Sequence, residues 1–108
     1  MQYGTLFRLR LRPEVAVEQL RAHLERWQRT LGPRFPGSTM DLLMQVDNAV
    51  DEYVVLHLFA DQAAYQSMDG DAAQDGWYRE LVALLVEEPQ FTDVWLRWSA
   101  NAEVDAGD

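Results

Sequence analysis

The chain has 108 residues, 48% of them hydrophobic, which suits one folded domain with a modest core and is too short for two. Its net charge of -9 argues against binding to nucleic acid or to an anionic membrane surface. Because it has no cysteine, it can form neither disulfides nor cysteine metal sites, and because we expect neither a signal peptide nor a membrane span, we predict a cytoplasmic protein.

The first half of the chain predicts a strand, a long helix and a second strand. Side-chain character alternates over residues 3–12, which indicates a strand. Apolar residues then follow helical spacing, and a proline suited to a first helical turn predicts a helix over 13–31. Alternation returns over 39–46, and the polar segment 47–52 predicts a hairpin into the next strand.

The second half predicts a strand, an interrupted helical region and a last strand. Alternation over 53–60 indicates the third strand, and Asp61 is expected to cap a short helix that ends near residue 68. Residues 69–71 interrupt the helical pattern, which resumes to about residue 87. The alternating segment 92–99 predicts the fourth strand.

This order of elements predicts an α+β, ferredoxin-like domain with a split βαββαβ topology. We expect a four-stranded antiparallel sheet with both helices on one face and the first and third strands at its centre. The domain is predicted to span residues 1–99, and residues 100–108 are expected to form an acidic, flexible C-terminal tail.

Alternation divides the strand residues into two sets, one for each face of the sheet. The first set is almost wholly apolar and is expected under the helices: Phe7, Leu9, Leu11, Met40, Leu42, Met44, Val46, Val54, Leu56, Leu58, Val94, Leu96 and Trp98. The second set mixes large apolar groups with charges: Leu6, Arg8, Arg10, Asp41, Leu43, Gln45, Tyr53, Val55, His57, Phe59, Asp93, Trp95 and Arg97. Such a face suits neither solvent nor a dry core, so it predicts a homodimer interface with Leu43, Val55, Phe59, Trp95 and Arg97 buried between subunits.

Three segments carry a resemblance to a known family. They are FRLRLRP at 7–13, YVVLHLFAD at 53–61 before an Ala/Tyr-rich helix start, and a closing strand after EEP at 87–89. Over residues 3–99 the chain resembles the dimeric α/β-barrel superfamily, and most closely its antibiotic-biosynthesis-monooxygenase-like (ABM) branch. The resemblance implies a homodimer whose two sheets face each other.

The resemblance also bears on activity. Some members of the superfamily oxidise polycyclic phenols and quinols without a cofactor, while others degrade haem, isomerise lactones or have no known reaction. The haem-degrading members match poorly, because the first strand here has no Asn and neither His23 nor His57 lies in the second helical region.

In the monooxygenase-like members the resemblance implies a substrate cleft between the helices and the sheet. Its walls in this chain are expected to be Trp27, His23, Met40, Met44, Tyr65, Met68, Trp77, Tyr78 and Trp98. His23 and Tyr65 or Tyr78 are its titratable groups and therefore catalytic candidates. Plain core packing is the alternative for such a Trp/Met cluster. Residues 69–71 and Gly76 are expected to leave a segment that can move over the cleft mouth.

The second face of the sheet offers other candidates. His57 could act as general base for an acidic phenol, or be an interface histidine bonded to Asp41 or Tyr53. Arg8, Arg10 and Arg97 could bind an enolate or carboxylate, or form salt bridges between subunits. Trp95 could stack on an aromatic ligand or fill the interface. Two histidines on different elements predict no metal site.

Two functions therefore stay open. The first is a cofactor-independent monooxygenase of small aromatic, phenol- or quinol-type substrates. The second is a non-catalytic dimeric module that binds a small hydrophobic ligand or serves in an assembly. Neither predicts a metal or flavin, and neither predicts a nucleic-acid or membrane partner.

Overall fold

The structure of the protein is a computed structural model, and it describes residues 1–100. Its elements are β1 (Tyr3–Arg10), α1 (Val17–Thr30), a 3₁₀ turn (Gly32–Arg34), β2 (Ser38–Gln45), β3 (Glu52–Phe59), α2 (Gln62–Gln66), α3 (Ala72–Val82) and β4 (Gln90–Trp95). The predicted order of strands and helices is confirmed. Of the predicted tail, all but residue 100 lies outside the described residues.

The four strands form one antiparallel sheet in the order β2-β3-β1-β4. This is the ferredoxin-like arrangement, with β1 and β3 at the centre as predicted. The helices cover one face, and the core between them and the sheet consists of Phe7, Leu9, Leu11, Leu20, Leu24, Trp27, Leu31, Phe35, Tyr53, Val55, Phe59, Trp77, Leu81 and Leu85.

Helix α1 starts four residues later than predicted. Pro13 lies in a turn, where the amide of Val15 donates to the carbonyl of Arg12 at 3.0 Å. The Gln19 side chain accepts from the amide of Ala16 at 2.9 Å and so caps the helix start. The sequence lacks a Ser, Thr or Asp here, so its N-terminus carries no ordinary capping signal.

The interruption of the second helical region is where the sequence placed it. Asp61 caps α2 by accepting from the amide of Ala64 at 2.8 Å, which confirms that prediction. Gly70 has a φ of 76°, a conformation that glycine adopts without strain. Asp71 then caps α3 by accepting from the amide of Gln74 at 2.9 Å.

The register of the sheet corrects the predicted assignment of its faces. Cross-strand partners share a face, and Phe7 is paired with Val55 and Thr5 with His57. Val55 and Phe59 are 1% and 0% exposed, so this side of β3 lies under the helices. On β2, Leu43 is paired with Val55 and packs against the same core.

The prediction was right for β1 and wrong for β2, β3 and β4. Leu43, Val55 and Phe59 belong to the core of one subunit and not to an interface between two. The face without helices, here called the open face, carries Leu6, Arg8 and Arg10 together with Met40, Leu42, Met44, Val54, Leu56, Leu58, Thr92 and Val94. Alternation failed because β3 is apolar on both sides, so hydrophobicity alone does not tell which side faces the helices.

Two further residues predicted for the interface lie elsewhere. Trp95 is on the helix side of the edge strand β4, where its ring contacts that of Tyr3 with centroids 4.6 Å apart. Arg97 follows the end of β4 and its guanidinium lies 3.7 Å from the sulfur of Met1. Neither residue therefore lies on the open face within a strand.

Gly4 brings the two central strands unusually close. A Cβ atom at this position would lie 1.9 Å from the carbonyl oxygen of His57. Only glycine fits there, since the obstacle is backbone and not a side chain that can turn away. The backbone at His57 is therefore packed directly against β1.

Candidate active site

A cavity of about 230 Å³ lies between the sheet and the helices. Its lining comprises Thr5, Phe7, Leu24, Trp27, Asp41, Val55, His57, Tyr65, Met68, Asp69, Gly70, Gln74, Asp75, Trp77, Tyr78, Leu81 and Phe91. Five of the nine predicted wall residues, Trp27, Tyr65, Met68, Trp77 and Tyr78, are among them. We call this cavity the cleft.

His57 lies in the cleft and not on the open face. Its Nε2 is 2.9 Å from the hydroxyl oxygen of Ser38, and the edge of its ring meets Trp27 with centroids 4.6 Å apart. Burial lowers the pKa of His57 to about 4, because water no longer solvates the imidazolium. At neutral pH the side chain is therefore an uncharged imidazole.

Asp41 stands directly across from His57 on β2. Its Oδ2 accepts a hydrogen bond of 3.0 Å from the Gln28 side-chain amide. Burial raises the pKa of Asp41 to about 6, although the hydrogen bond from Gln28 works in the opposite direction. The cleft thus places a carboxyl that titrates near neutral pH beside a neutral imidazole.

Tyr65 and Tyr78 contribute their rings to the wall of the cleft. Their hydroxyls donate to carboxylates outside the lining, from Tyr65 to Asp93 and from Tyr78 to Glu88, each at 3.4 Å. Burial and then the nearby carboxylate raise both pKa values. Both phenols stay protonated at neutral pH, and their predicted catalytic role stays a prediction.

The two cleft tryptophans are held by hydrogen bonds between α1 and α3. The Trp27 indole N–H donates to the side-chain oxygen of Gln74 at 2.6 Å. The Trp77 indole N–H donates to the backbone carbonyl of His23 at 2.9 Å. With both N–H groups bonded, these two rings can offer a ligand only the part of their π surface that lines the cleft.

His23 does not line the cleft, so its predicted place there is wrong. Its Nε2 donates to the carbonyl of Trp77 at 2.9 Å, and the two rings stack with centroids 4.6 Å apart. Burial lowers the pKa of His23. The residue joins the two helices behind the cleft.

Three other predicted wall residues lie away from the cleft. Met40 and Met44 point to the open face, where they are 38% and 44% exposed, because β2 has the opposite facing from the one predicted. Trp98 lies beyond β4 and is 78% exposed. Because side chains alternate along a strand, an assignment that is off by one residue moves both methionines from the helix side of β2 to its other side.

The arginines of β1 lie on the open face as predicted, but without His57. Arg8 and Arg10 contact the carboxylate of Glu52 at 3.4 and 3.5 Å, and Arg10 also lies 3.7 Å from Asp51. These ion pairs join neighbouring strands of one chain, with Asp51 lying directly before β3. All are half-exposed and contribute little to stability.

Sequence reasoning missed five polar residues of the cleft. Thr5, Gln74 and Asp75 line it, and Asp41 and His57 had been assigned to the opposite face. A signal for Asp41 was present, because it is the one charged residue of β2, between apolar neighbours. Gln74 carried no comparable signal.

Among residues 1–100 no group of three or more His, Asp or Glu side chains is placed to hold a metal ion. No helix in this range combines the length and hydrophobicity needed to cross a membrane.

No protein-family model and no curated protein sequence matches the chain. Solved structures match nearly all of it. A mutant of SnoaB, a cofactor-independent oxygenase from Streptomyces nogalater, has a TM-score of 0.76 at 15% identity over 92% of this chain and 96% of that one. A candidate antibiotic biosynthesis monooxygenase from Caulobacter crescentus has a TM-score of 0.74 at 14% identity over 90% and 91%.

A dimeric ferredoxin-like protein of unknown function from Jannaschia sp. has a TM-score of 0.69 at 18% identity over 89% of this chain and 100% of that one. At these identities the likeness concerns the fold. The chain therefore has the ferredoxin-like fold of the ABM-like proteins, as its sequence predicted.

Proposed function

We propose that this protein is a cofactor-independent monooxygenase that oxidises a small phenol or quinol in the cleft. The observation that carries the proposal is the cleft itself, which combines aromatic walls with a titratable carboxyl and a neutral imidazole. A structural neighbour with this fold is a cofactor-independent oxygenase.

The size and walls of the cleft favour a substrate of one or two rings. Its volume of about 230 Å³ is below the roughly 300–1,000 Å³ typical of pockets for drug-sized ligands. Trp27, Trp77 and Phe91 offer ring faces and edges to an aromatic substrate. A polycyclic substrate would require the turn at Asp69 and Gly70 to move.

The reaction needs only a deprotonated substrate and dioxygen. A phenol and one dioxygen give a quinone and one water, and the phenol supplies all four electrons. One oxygen atom forms the new carbonyl, and the other leaves as water with the ring hydrogen and the phenolic proton. His57, as a neutral imidazole, can donate a hydrogen bond to the phenolate that forms.

We further propose that two copies pair through their open faces. The open face carries a continuous apolar surface of a kind that proteins rarely leave exposed to water. It includes Met40, Leu42 and Met44 on β2, which are 38–44% exposed, and the adjoining Val54 and Leu56 on β3. A ferredoxin-like neighbour is dimeric. Dimerisation would cover this surface and leave each cleft on the outer side of its own sheet.

Oxygen uptake with a panel of monocyclic and bicyclic phenols and quinols tests the proposal. We expect one dioxygen consumed per product, oxygen-18 from labelled dioxygen in that product, and a rate unchanged by a chelator. Met68→Trp fills the cleft and should lower the rate at least about tenfold. Val50→Trp, at an 82% exposed hairpin position, is the matched control and should not.

The same panel separates the two functions. Quenching of tryptophan fluorescence by a phenol that drives no oxygen uptake would indicate the non-catalytic binding module. Equal activity of Met68→Trp and Val50→Trp would place the chemistry outside the cleft.

A further inference from the structure

Asp41 is an unusual residue for its position. It is the one charged residue of β2, it lines the cleft, and it forms no salt bridge within residues 1–100. A carboxylate in such a place destabilises the fold unless something favours its charge. Gln28 supplies a single hydrogen bond to one oxygen, Oδ2. The carboxylate therefore lowers the stability of the fold, which argues against a structural role and favours a role in the chemistry of the cleft.

The partner across the sheet completes the arrangement. Asp41 and His57 are directly opposed on antiparallel strands, where Cα atoms are about 4.5–5.5 Å apart, and both side chains face the cleft. His57 contacts the hydroxyl of Ser38 and is uncharged at neutral pH. It is therefore a weak proton acceptor, and Asp41 is the stronger base of the two.

Two cavities adjoin Asp41. The charged and titratable groups that line them with it are Arg21 and Glu25 on α1, His57 on β3, Tyr65 on α2, Tyr78 and Asp75 on α3, and Asp69 in the turn between the last two helices. Arg21 and Glu25 are exposed and have opposite charges. Asp69 and Asp75 are exposed carboxylates that oppose a further negative charge. None of these groups neutralises Asp41, so it can take up a proton at a mild pH.

We infer that Asp41 is the proton acceptor of the cleft, that Gln28 is the residue positioning its carboxylate, and that His57 is a neutral hydrogen-bond donor beside them. The inference rests on the proposed function for its substrate, a small phenol. It assigns the base to a residue that is not among the catalytic candidates named from the sequence, His57, His23, Tyr65 and Tyr78.

The step is a proton transfer. The phenolic O–H bond breaks, its electron pair stays on the phenol oxygen, and the proton joins a carboxylate oxygen of Asp41. The phenolate then reduces dioxygen to a ring-bound peroxide, which takes the proton back from Asp41. The ring hydrogen leaves as a proton to Asp41 while the O–O bond breaks to hydroxide, and the two combine as water. Asp41 ends as the carboxylate it was at the start.

Steady-state oxygen uptake tests the inference, because it gives kcat and KM separately and the loss of a proton acceptor should lower kcat alone. Asp41→Asn keeps the shape and the Gln28 contact but cannot accept the proton. We expect kcat to fall at least about 100-fold, as for loss of a general base, and KM to change less than about threefold. Asp47→Asn, in the exposed hairpin, is the matched control and should behave as wild type. A kcat for Asp41→Asn within tenfold of wild type would overturn the inference.

The pH profile tests the positioning role of Gln28. Wild-type kcat should rise with pH through a midpoint near 6, where Asp41 loses its proton. Gln28→Met removes a hydrogen bond that favours the carboxylate, so the midpoint should move to higher pH with the maximal rate retained. A Gln28→Met profile that coincides with the wild type would exclude this role.

A measurement without turnover distinguishes failure of this inference from failure of the proposed function. 4-Nitrophenol absorbs differently as phenol and phenolate, so its spectrum reports proton transfer on binding. At pH 8 the free ligand is mostly phenolate, and its binding beside the Asp41 carboxylate requires uptake of a proton that the two groups share. Proton uptake on binding, measured by calorimetry in buffers of different ionisation enthalpy, should therefore be larger on the wild type than on Asp41→Asn. This result without any oxygen uptake would uphold Asp41 as acceptor and reject the monooxygenase. Equal proton uptake by both proteins would reject Asp41.

Discussion

His23 and Trp77 bind each other twice. The Trp77 indole donates to the His23 carbonyl and the His23 imidazole donates to the Trp77 carbonyl, each at 2.9 Å, while the two rings stack. Each residue thus fixes both the backbone and the side chain of the other. Because Trp77 also lines the cleft, this pair sets the distance between α1 and α3 at the site.

Replacing His23 should therefore cost stability. His23→Ala removes one hydrogen bond and a ring stack, and we expect the free energy of unfolding to fall by about 1–3 kcal/mol. Urea denaturation measures this directly. Arg29→Ala, at an exposed position of the same helix, should change it by less than about 0.5 kcal/mol. Equal stabilities of the two variants would mean that the pair of His23 and Trp77 does not stabilise the fold.

Asp41 and His57 should give opposite slopes of stability against pH. The pKa of Asp41 is raised from 3.8 to about 6 by folding, so its contribution is favourable below about pH 4 and is lost as the pH rises to 6. The pKa of His57 is lowered from 6.5 to about 4, so its contribution is present above pH 6.5 and is lost as the pH falls to 4. Between pH 4 and 6 the two largely cancel.

Asp41→Asn separates these contributions. At pH 7 the variant should be more stable than wild type by about 3 kcal/mol, since a shift of one pKa unit corresponds to about 1.4 kcal/mol. The gain should vanish below about pH 4, and the variant's stability should rise between pH 4 and 6.5. Urea denaturation across this range checks it, with Asp47→Asn keeping the wild-type curve. A variant less stable than wild type at pH 7 would contradict the burial argument.

Charge placed on either side of the sheet should have different consequences. Leu42→Asp puts a carboxylate on the open face and should weaken self-association at least about 100-fold while the fold is retained. Val55→Asp puts it in the core, at a residue 1% exposed, and should unfold the subunit. Sedimentation and circular dichroism distinguish the two. Val50→Asp, in the exposed hairpin, is the control, and an intact Leu42→Asp dimer would rule out the open face as interface.

Gly4 should not tolerate even one additional methyl group. Gly4→Ala would force the backbones of β1 and β3 apart at His57, and we expect a loss of at least about 2 kcal/mol in unfolding free energy. Gly76→Ala is the matched control: its Cβ would have Arg79 as nearest neighbour at 3.9 Å, and alanine in mid-helix should add about 0.5–1 kcal/mol. Thermal unfolding of both variants measures the contrast, and a Gly4→Ala protein as stable as wild type would contradict the close approach.

The sequence indicated the positions of the strands and helices strongly, but it indicated only weakly which side of each strand lies under the helices. Asp61 as a cap and the break near Gly70 could be read locally, because the chemistry of a cap or a left-handed turn lies within a few residues. The side of β3 that faces the helices depends on which neighbour Val55 pairs with, and that pairing joins residues far apart in the chain. His57 was singled out correctly as a polar group on a central strand. Its location in the cleft depends on which side of β3 lies under the helices, and that side was predicted wrongly.

The rim of the cleft has a consequence for the rate at which ligands arrive. Asp69 and Asp75 are exposed carboxylates in the lining, Asp41 lies further in, and none of the lining residues is an arginine or lysine. A benzoate-like anion approaches against this field, whereas a neutral phenol does not feel it and an aminoalkylphenol is drawn in. At low ionic strength the association rate constant should therefore be highest for the cation, intermediate for the neutral phenol and lowest for the anion. The three rate constants should converge as added salt screens the charges.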